Sequence, residues 1–590
     1  MNGLKARIVL LAIAITASAA AFAVRGRPGI ARVAAAPAAS PAGSAAPILV
    51  EPDALYRAVR VARAVEGHGW VSAREDGLGP ALLEQGVSPA SEDLGAPIPW
   101  APGYDLFLAA VHRRASPSFA ELLADESERA PAPAPDAEER ARIERWVAAA
   151  PPFLAALTAL LAALLAALVT PGAGASAAAA VAGLGVAFAT AHVEATARGS
   201  GSAAGWVGLL LTGALLVTVR GWMQPRINQP FWSSVRGGIA GLLAGLAVAS
   251  DAAALLPVAL LQLTFLARLL LPFRDAAGRA VPARSFPVFV TSFHKVALLV
   301  LLPATVENPF VTGDPMGVVG VTWLPLALLG AGWLAFAPFA LVPRLVGRRP
   351  VVALIPAALL AGAVLLGTDA PARVASLLDT AQWSSPLALS WLVALPAALL
   401  LGGAAALRRP ELAPLLFVGL GLALLSGCGG VEAAWAVAPG AVLLAALLVP
   451  LVLRRLGGAP AWAAAAALGL CMVLAAAHPG TLAPHPPAAA MDRSLDPSAL
   501  EAFTVAIEGQ GSPRAALNDP SLGPLLLWRS DIAPSSVGLG AGILARGGSD
   551  LEEPRDVLLE RARRAGYGWT LDLPPGGASR HPFQTARLER

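Results

Sequence analysis

Asp53, Tyr56 and Arg60 lie at offsets of three, four and seven in the run Asp53-Ala54-Leu55-Tyr56-Arg57-Ala58-Val59-Arg60. Such offsets place side chains on one face of a helix, so a carboxylate, a phenol and a guanidinium would share that face. Carboxylates, sometimes joined by His, hold hard divalent cations, and a guanidinium forks onto phosphate oxygens. The bland alternative is a solvated acid on an exposed loop. A second polar and aromatic cluster follows in Pro99-Trp100-Ala101-Pro102-Gly103-Tyr104-Asp105. His294 and Lys295 fall inside an apolar run, where ionisable groups are functional candidates by default unless Lys snorkels to the interface. Gly538-Leu539-Gly540-Ala541-Gly542 lacks the Lys and Ser/Thr of a phosphate loop and reads as a turn.

Residues of this kind need elements to hold them, and the composition says where those elements live. The chain has 590 residues, 56% of them hydrophobic and 14% charged, with a mean hydropathy of +0.64. Ordinary soluble proteins carry about 25% charged residues, so most of this chain belongs in lipid. The net charge of +4 is spread over short loops and forms no stripe suited to nucleic acid. Cys428 and Cys471 lie at or inside apolar runs, which supports neither a disulfide framework nor a Cys metal site.

A bilayer core of about 30 Å takes roughly 20 apolar residues as a helix. Ile8 to Val24 meets that length after Lys5 and Arg7, and reads as an uncleaved first helix, although Ala21-Phe22-Ala23 resembles a signal cleavage site. Twelve further apolar runs between Phe153 and Ala477 bring the expected total to about 13 spans. Lys and Arg gather on the cytoplasmic side of short loops. Arg220 and Arg226, Arg274 to Arg284, Arg344 to Arg349, Arg408 and Arg409, and Arg454 and Arg455 all fall on alternate loops. That parity places the N-terminus inside the cell, and the Asp53 loop, the end of the third span, the Glu307 loop and the C-terminal tail outside.

The expected organisation is therefore mostly α: a first helix over 1–24, an external loop with amphipathic helices over 25–147, a helical bundle over 148–478 and an external C-terminal domain over 479–590. The external tail reads as a small α/β fragment, with strands at Leu525 to Trp528 and Trp569 to Leu573 and an amphipathic helix over Glu552 to Ala565.

The two first-loop clusters resemble the D-x-Y-Y-H-x-x-R and W-P-P-x-Y-D motifs of the STT3-like catalytic subunits of oligosaccharyltransferases. The resemblance implies a transmembrane bundle of GT-C type and an enzyme that takes a sugar from a polyprenyl-linked donor. It implies Asp53 as catalytic acid and metal ligand, with Tyr56, Arg60, Trp100, Tyr104 and Asp105 toward substrate. The family carries D-x-D or D-H-H at the end of the third span. Here Thr190-Ala191-His192-Val193-Glu194 keeps only His192 of that set, with Glu194 one turn on from Thr190. A divalent Mn or Mg held by Asp53, His192 and Glu194 follows from the resemblance, opposed by the reading of an interfacial His and Glu capping a span. Ala304-Thr305-Val306-Glu307 stands nearest to the family's T-I-x-E element, so Glu307 would orient the acceptor or be a plain loop acid. Arg373 is placed for the donor phosphate or is an interfacial Arg.

The W-W-D-Y-G string that grips an Asn-x-Ser/Thr acceptor is missing, and Leu517-Asn518-Asp519-Pro520 occupies the corresponding region. What the resemblance implies is a glycosyltransferase at the outer face of a bacterial inner membrane, with a protein, lipid or glycan acceptor on the periplasmic side. Two alternatives stand beside it: a GT-C transferase using a polyprenyl-monophosphate sugar, and a catalytically degenerate STT3-like scaffold.

Overall fold

The structure is a computed structural model that describes residues 3–27, 33–34, 48–49, 51–66, 74–75, 96–97, 101–113, 137–170, 172–223, 230–270, 286–306, 322–342, 412–426, 432–456, 515–518, 526–527, 533–534, 536–539, 542–545, 559–560, 569–572 and 584–587. The chain divides into two compact units. One comprises Met1–Ile30, Pro151–Ala197 and Ala203–Pro484, and the other Ala31–Ala150, Arg198–Ser202 and His485–Arg590.

In the first unit, seven of the described helices in the chain are long and apolar enough to cross a membrane, the closing part of Ala137–Val169 among them. They make this a multi-pass membrane protein. Helix α1 (Gly3–Arg25) packs along α5 (Ala175–Phe188). Alanine makes that approach close, since Ala14 forms a buried cluster with Ala163 and Ala179. A side chain at Gly183 would run into Ala17. Helix α5 stops where Ala189 turns extended (φ −62°, ψ 122°), and the six-residue α6 (Thr190–Ala195) follows.

Helix α7 (Ala204–Met223) leads to α8 (Pro230–Ser250), α9 (Leu255–Leu270), α10 (Phe286–Val306) and α11 (Trp323–Leu341). Gly237, Gly241 and Gly245 form a row one turn apart on α8, against Phe289, Phe293 and Ala297 of α10. At Gly237 and Gly241 a Cβ would overlap the carbonyls of Phe289 and Phe293. Among lipid tails, burying apolar surface gives little drive, so close backbone contact through small residues does the joining. The last described helices here are α12 (Ala413–Ser426) and α13 (Glu432–Leu456). The expected spans over 351–366, 387–407 and 461–477 lie outside the described residues.

The second unit holds α2 (Pro52–Glu66) and α3 (Gly103–Arg113), which pack together. In its C-terminal part β1 (Ala515–Asn518) lies parallel to both β2 (Ala533–Pro534) and β5 (Trp569–Asp572), and β5 pairs antiparallel with β6 (Gln584–Arg587). Strands β3 (Ser536–Leu539) and β4 (Gly542–Ala545) pair antiparallel, with Leu539 opposite Gly542. That pairing agrees with a turn in the Gly538 to Gly542 run. The strand expected at Trp569 is present. The one expected over Leu525 to Trp528 is corrected, because Leu526 and Leu527 are helical. A four-residue apolar run carries no period that separates the two states. Of the helix expected over Glu552 to Ala565 only residues 559–560 are described, and they are helical.

The charged run ahead of the second apolar run continues into it: Ala137–Val169 is one 33-residue helix, α4, running through Pro151 and Pro152. Proline supplies no N–H, so Pro152 leaves the Ala148 carbonyl without its helical donor. Gly199 fills that gap: its N–H donates to the Ala148 carbonyl at 3.0 Å. It does so from φ +82°, a conformation that favours glycine.

Candidate functional site

The residues singled out by sequence are divided between the two units, and each group has its own geometry. In the second unit, Glu51 opens α2 by accepting the Leu55 N–H at 3.0 Å, Pro52 takes the first helical position, and Asp53 stands in the first turn. All three choices suit a helix start: proline needs no donor there, and an acid meets the positive end of the dipole. Asp53 is partly exposed, while Tyr56, Arg57 and Arg60 behind it are buried.

The burial is organised by Asp105 on the first turn of α3. Its Oδ1 accepts from Arg57 Nη1 at 2.6 Å, and its Oδ2 lies 3.6 Å from Arg60 Nε. The Arg57 guanidinium also lies 4.7 Å from the centre of the Tyr104 ring, within cation–π range. Burial raises the Tyr104 hydroxyl pKa, the Arg57 charge opposes that rise and Asp105 adds to it, so this phenol stays protonated.

Arg57 further donates through Nε to the Gly201 carbonyl, and the Gly201 N–H donates to Glu51 Oε2 at 3.2 Å. Both polar groups of one glycine are thus held from α2 and its cap. A Cβ at Gly201 would overlap Asp53 and the Ala54 nitrogen, so only glycine fits. Of the residues expected toward substrate, Arg60, Tyr104 and Asp105 lie in this joint between α2 and α3, and Tyr56 is buried. Arg57, to which the sequence reading gave no role, is the hub. Its signal was available in retrospect: it lies four residues from Asp53 and belongs to the same helical face. Trp100, Glu307 and Arg373 lie outside the described residues.

In the first unit, α5 ends at Ala189, whose N–H donates to the Gly185 carbonyl, and the carbonyls of Val186 and Ala187 face the break that follows. Arg25, the last residue of α1, supplies the donors. Its Nη1 donates to the carbonyls of Ala21 at 2.7 Å and Ala187 at 3.0 Å, and its Nη2 to that of Val186 at 3.3 Å. The remaining two N–H groups go to His192 Nδ1 at 2.6 Å and Thr196 Oγ1 at 2.5 Å. Thr196 in turn donates its hydroxyl to the His192 carbonyl. A guanidinium has five N–H donors, and all five are engaged here. Arg25 is fully buried, and among the described residues it has no carboxylate partner.

This arrangement decides the chemistry of His192. Arg25 has only protons to give, so Nδ1 must be the acceptor and Nε2 carries the ring's proton. Burial, and after it the Arg25 charge, hold the imidazole pKa well below its usual range, so the ring is neutral. Nε2 is buried with no hydrogen-bond partner. Glu194 lies two positions on and is exposed, since residues two apart on a helix do not share a face. A divalent cation at His192 would meet one nitrogen already taken, another already protonated and a fixed positive charge beside both. At His192 the residues present do not fit it. Among the described residues, no three of His, Cys, Asp and Glu converge as a cation site.

The intramembrane pair left open by sequence also separates. His294 is buried, donates from Nδ1 to the Val290 carbonyl at 2.7 Å, and leaves the Nε2 lone pair without a partner. Phe265, Phe293 and Phe336 surround the ring, and Gly332 provides room for its Nε2 edge. Lys295 is exposed.

The bundle of apolar helices is that of a multi-pass membrane protein, and its fold is that of the STT3-like, GT-C membrane glycosyltransferases. No family model and no curated protein matches the chain; the likeness is with solved structures. The archaeal oligosaccharyltransferase AglB from Archaeoglobus fulgidus, in complex with an inhibitory peptide and a dolichol-phosphate, superposes with a TM-score of 0.64 at 14% identity, over 95% of this chain and 69% of that one. The Archaeoglobus fulgidus oligosaccharyltransferase in complex with Zn and sulfate gives 0.61 at 15% identity, over 95% and 67%. The same enzyme tethered to an acceptor peptide containing the NVT sequon gives 0.61 at 15% identity, over 95% and 68%. The fold expected from the first-loop motifs is therefore the fold observed.

Proposed function

We propose that the chain is an STT3-like membrane glycosyltransferase that takes a sugar or oligosaccharide from a polyprenyl-(pyro)phosphate donor at the outer face of a bacterial inner membrane. The observation that carries the reading is the coincidence of two independent likenesses. The fold matches an oligosaccharyltransferase over 95% of this chain, and the residues of the first-loop motifs form one built cluster, with Asp53 presented at its partly exposed end. Solved relatives in fold hold a dolichol-phosphate and an acceptor peptide, which supports a polyprenyl-linked donor for this chain.

In this reading Asp53 is the residue that meets the reacting groups, and Arg57, Asp105 and Gly201 fix where its helix begins. Arg60, Tyr56 and Tyr104 keep that frame closed. Glu307 orients the acceptor, and Arg373 meets the donor phosphate through its planar pair of donors. The absent W-W-D-Y-G string favours a second acceptor class, a lipid or glycan in place of an Asn-x-Ser/Thr peptide.

The test is sugar transfer or release by the purified protein in nanodiscs, with labelled polyprenyl-pyrophosphate and polyprenyl-monophosphate sugars supplied separately. Turnover with either donor, reduced at least about 100-fold in Asp53→Asn, is expected, within the range for losing a positioned acid or base. A well-folded wild type that neither binds nor turns over any such donor overturns the proposal and leaves the scaffold reading.

A further inference from the structure

We infer that Arg25 supplies, from within the chain, the positive charge that a coordinated cation would bring to the end of α5, and that His192 is therefore a positioning residue and not a metal ligand. This rests on the STT3-like reading, because that resemblance is what makes His192 a ligand candidate at all.

Three observations converge on it. The two positions before His192 are Thr190 and Ala191, which bring no carboxylate to balance a dication, and Glu194 two positions on is exposed and off the His192 face. The imidazole is held in one tautomer by Arg25, with Nδ1 as acceptor. The guanidinium itself is fully buried and is met by carbonyl, hydroxyl and imidazole acceptors, which orient toward its charge without cancelling it. Acid, free imidazole and cation are the parts of a metal site; here the acid is absent, the imidazole is engaged and the cation is covalently part of α1.

A guanidinium in this place differs from an ion in being permanent. It is always protonated, it does not exchange with solvent, and it also closes the open end of α5. His192 then has a definite task. It orients the guanidinium through Nδ1 and, through its carbonyl, receives the Thr196 hydroxyl. Any cation that Asp53 attracts in the other unit is a separate matter.

The inference is tested on the full-length protein in nanodiscs with Mn²⁺ as the probe. Titration followed by the electron spin resonance of free Mn²⁺ should give the same affinity, within twofold, for wild type and His192→Gln, or no binding in both. A tenfold or greater weakening in His192→Gln overturns it. In parallel, the ring signals of ¹⁵N-histidine-labelled wild type, assigned to His192 by their loss in the variant, should report protonated Nε2 and bare Nδ1. Mn²⁺ should leave those signals unbroadened. If His192→Gln does not fold, the wild-type spectrum still decides: broadening of a bare-Nδ1 histidine signal by Mn²⁺ overturns the inference, and its absence sustains it. Neither measurement uses sugar transfer, so a failed donor assay would remove the functional reading without touching this result.

Discussion

Two buried arginines, one in each unit, solve the same problem in opposite ways. Arg57 lies against the Asp105 carboxylate and the Tyr104 face, so its charge is balanced where it stands. Arg25 has carbonyls, a hydroxyl and an imidazole around it, so every donor is satisfied while the charge remains. The first arrangement is a joint: removing the acid takes its balancing charge from two guanidinium groups at once. The second is a cap with a field, which orders the break after α5 and biases what approaches it. Hydrogen-bond satisfaction and charge compensation are thus separate properties of a buried ion.

The sharpest way to break this contrast is Asp105→Ala. Removing one partner of a buried pair costs about 3–5 kcal/mol because a charge is left uncompensated, and here Arg57 and Arg60 both face the vacated position. Thermal unfolding, with hydrogen exchange read on α2 and α3, should show the loss concentrated in the second unit. If Arg57 mattered only as a hydrogen-bond donor to Gly201, the loss would be far smaller.

Arg25→Met tests the other half. It removes the charge along with the donors and leaves only neutral acceptors, each costing about 1–3 kcal/mol where no other donor reaches it. The expected loss is confined to the first unit, with faster exchange near Thr190–Ala195. Unchanged exchange there would mean that Arg25 does not order the break after α5.

The smallest effect is a pH dependence. His192 has a pKa well below its ordinary value in the folded protein, and near 6.5 when unfolded. The unfolded chain therefore binds the extra proton first as pH falls. Stability from this group is complete above about pH 6.5 and declines below it, by at most about 1.4 kcal/mol per pH unit until the folded-state pKa is reached. His192→Gln should remove this slope from stability measured between pH 7 and 5. A slope unchanged in that variant would show that the ring does not enter folding as a neutral group.

How far the sequence could be read depended on whether a feature was local. The spans followed from apolar length, and α2 with Asp53 in its first turn followed from helical offsets. The Arg57–Asp105 pair was half legible: both residues stood in the quoted motifs, but no spacing rule joins side chains 48 positions apart. Arg25 was not legible, because an arginine just past an apolar run carries no local sign of its role, and its partners other than the Ala21 carbonyl lie more than 160 positions away. Pro151-Pro152 is a comparable case. Proline argues locally for a helix end, and the glycine that repairs the lost bond sits at 199.

The glycine row of α8 has a practical side. What holds α8 to α10 is contact between backbones and not exclusion of water, so the geometry of the contact is set by the two helices themselves. A pair of spectroscopic labels on the outer faces of those two helices would therefore read the same separation in detergent, nanodisc and native membrane, and would serve as a fixed ruler against which motion elsewhere in the bundle is measured.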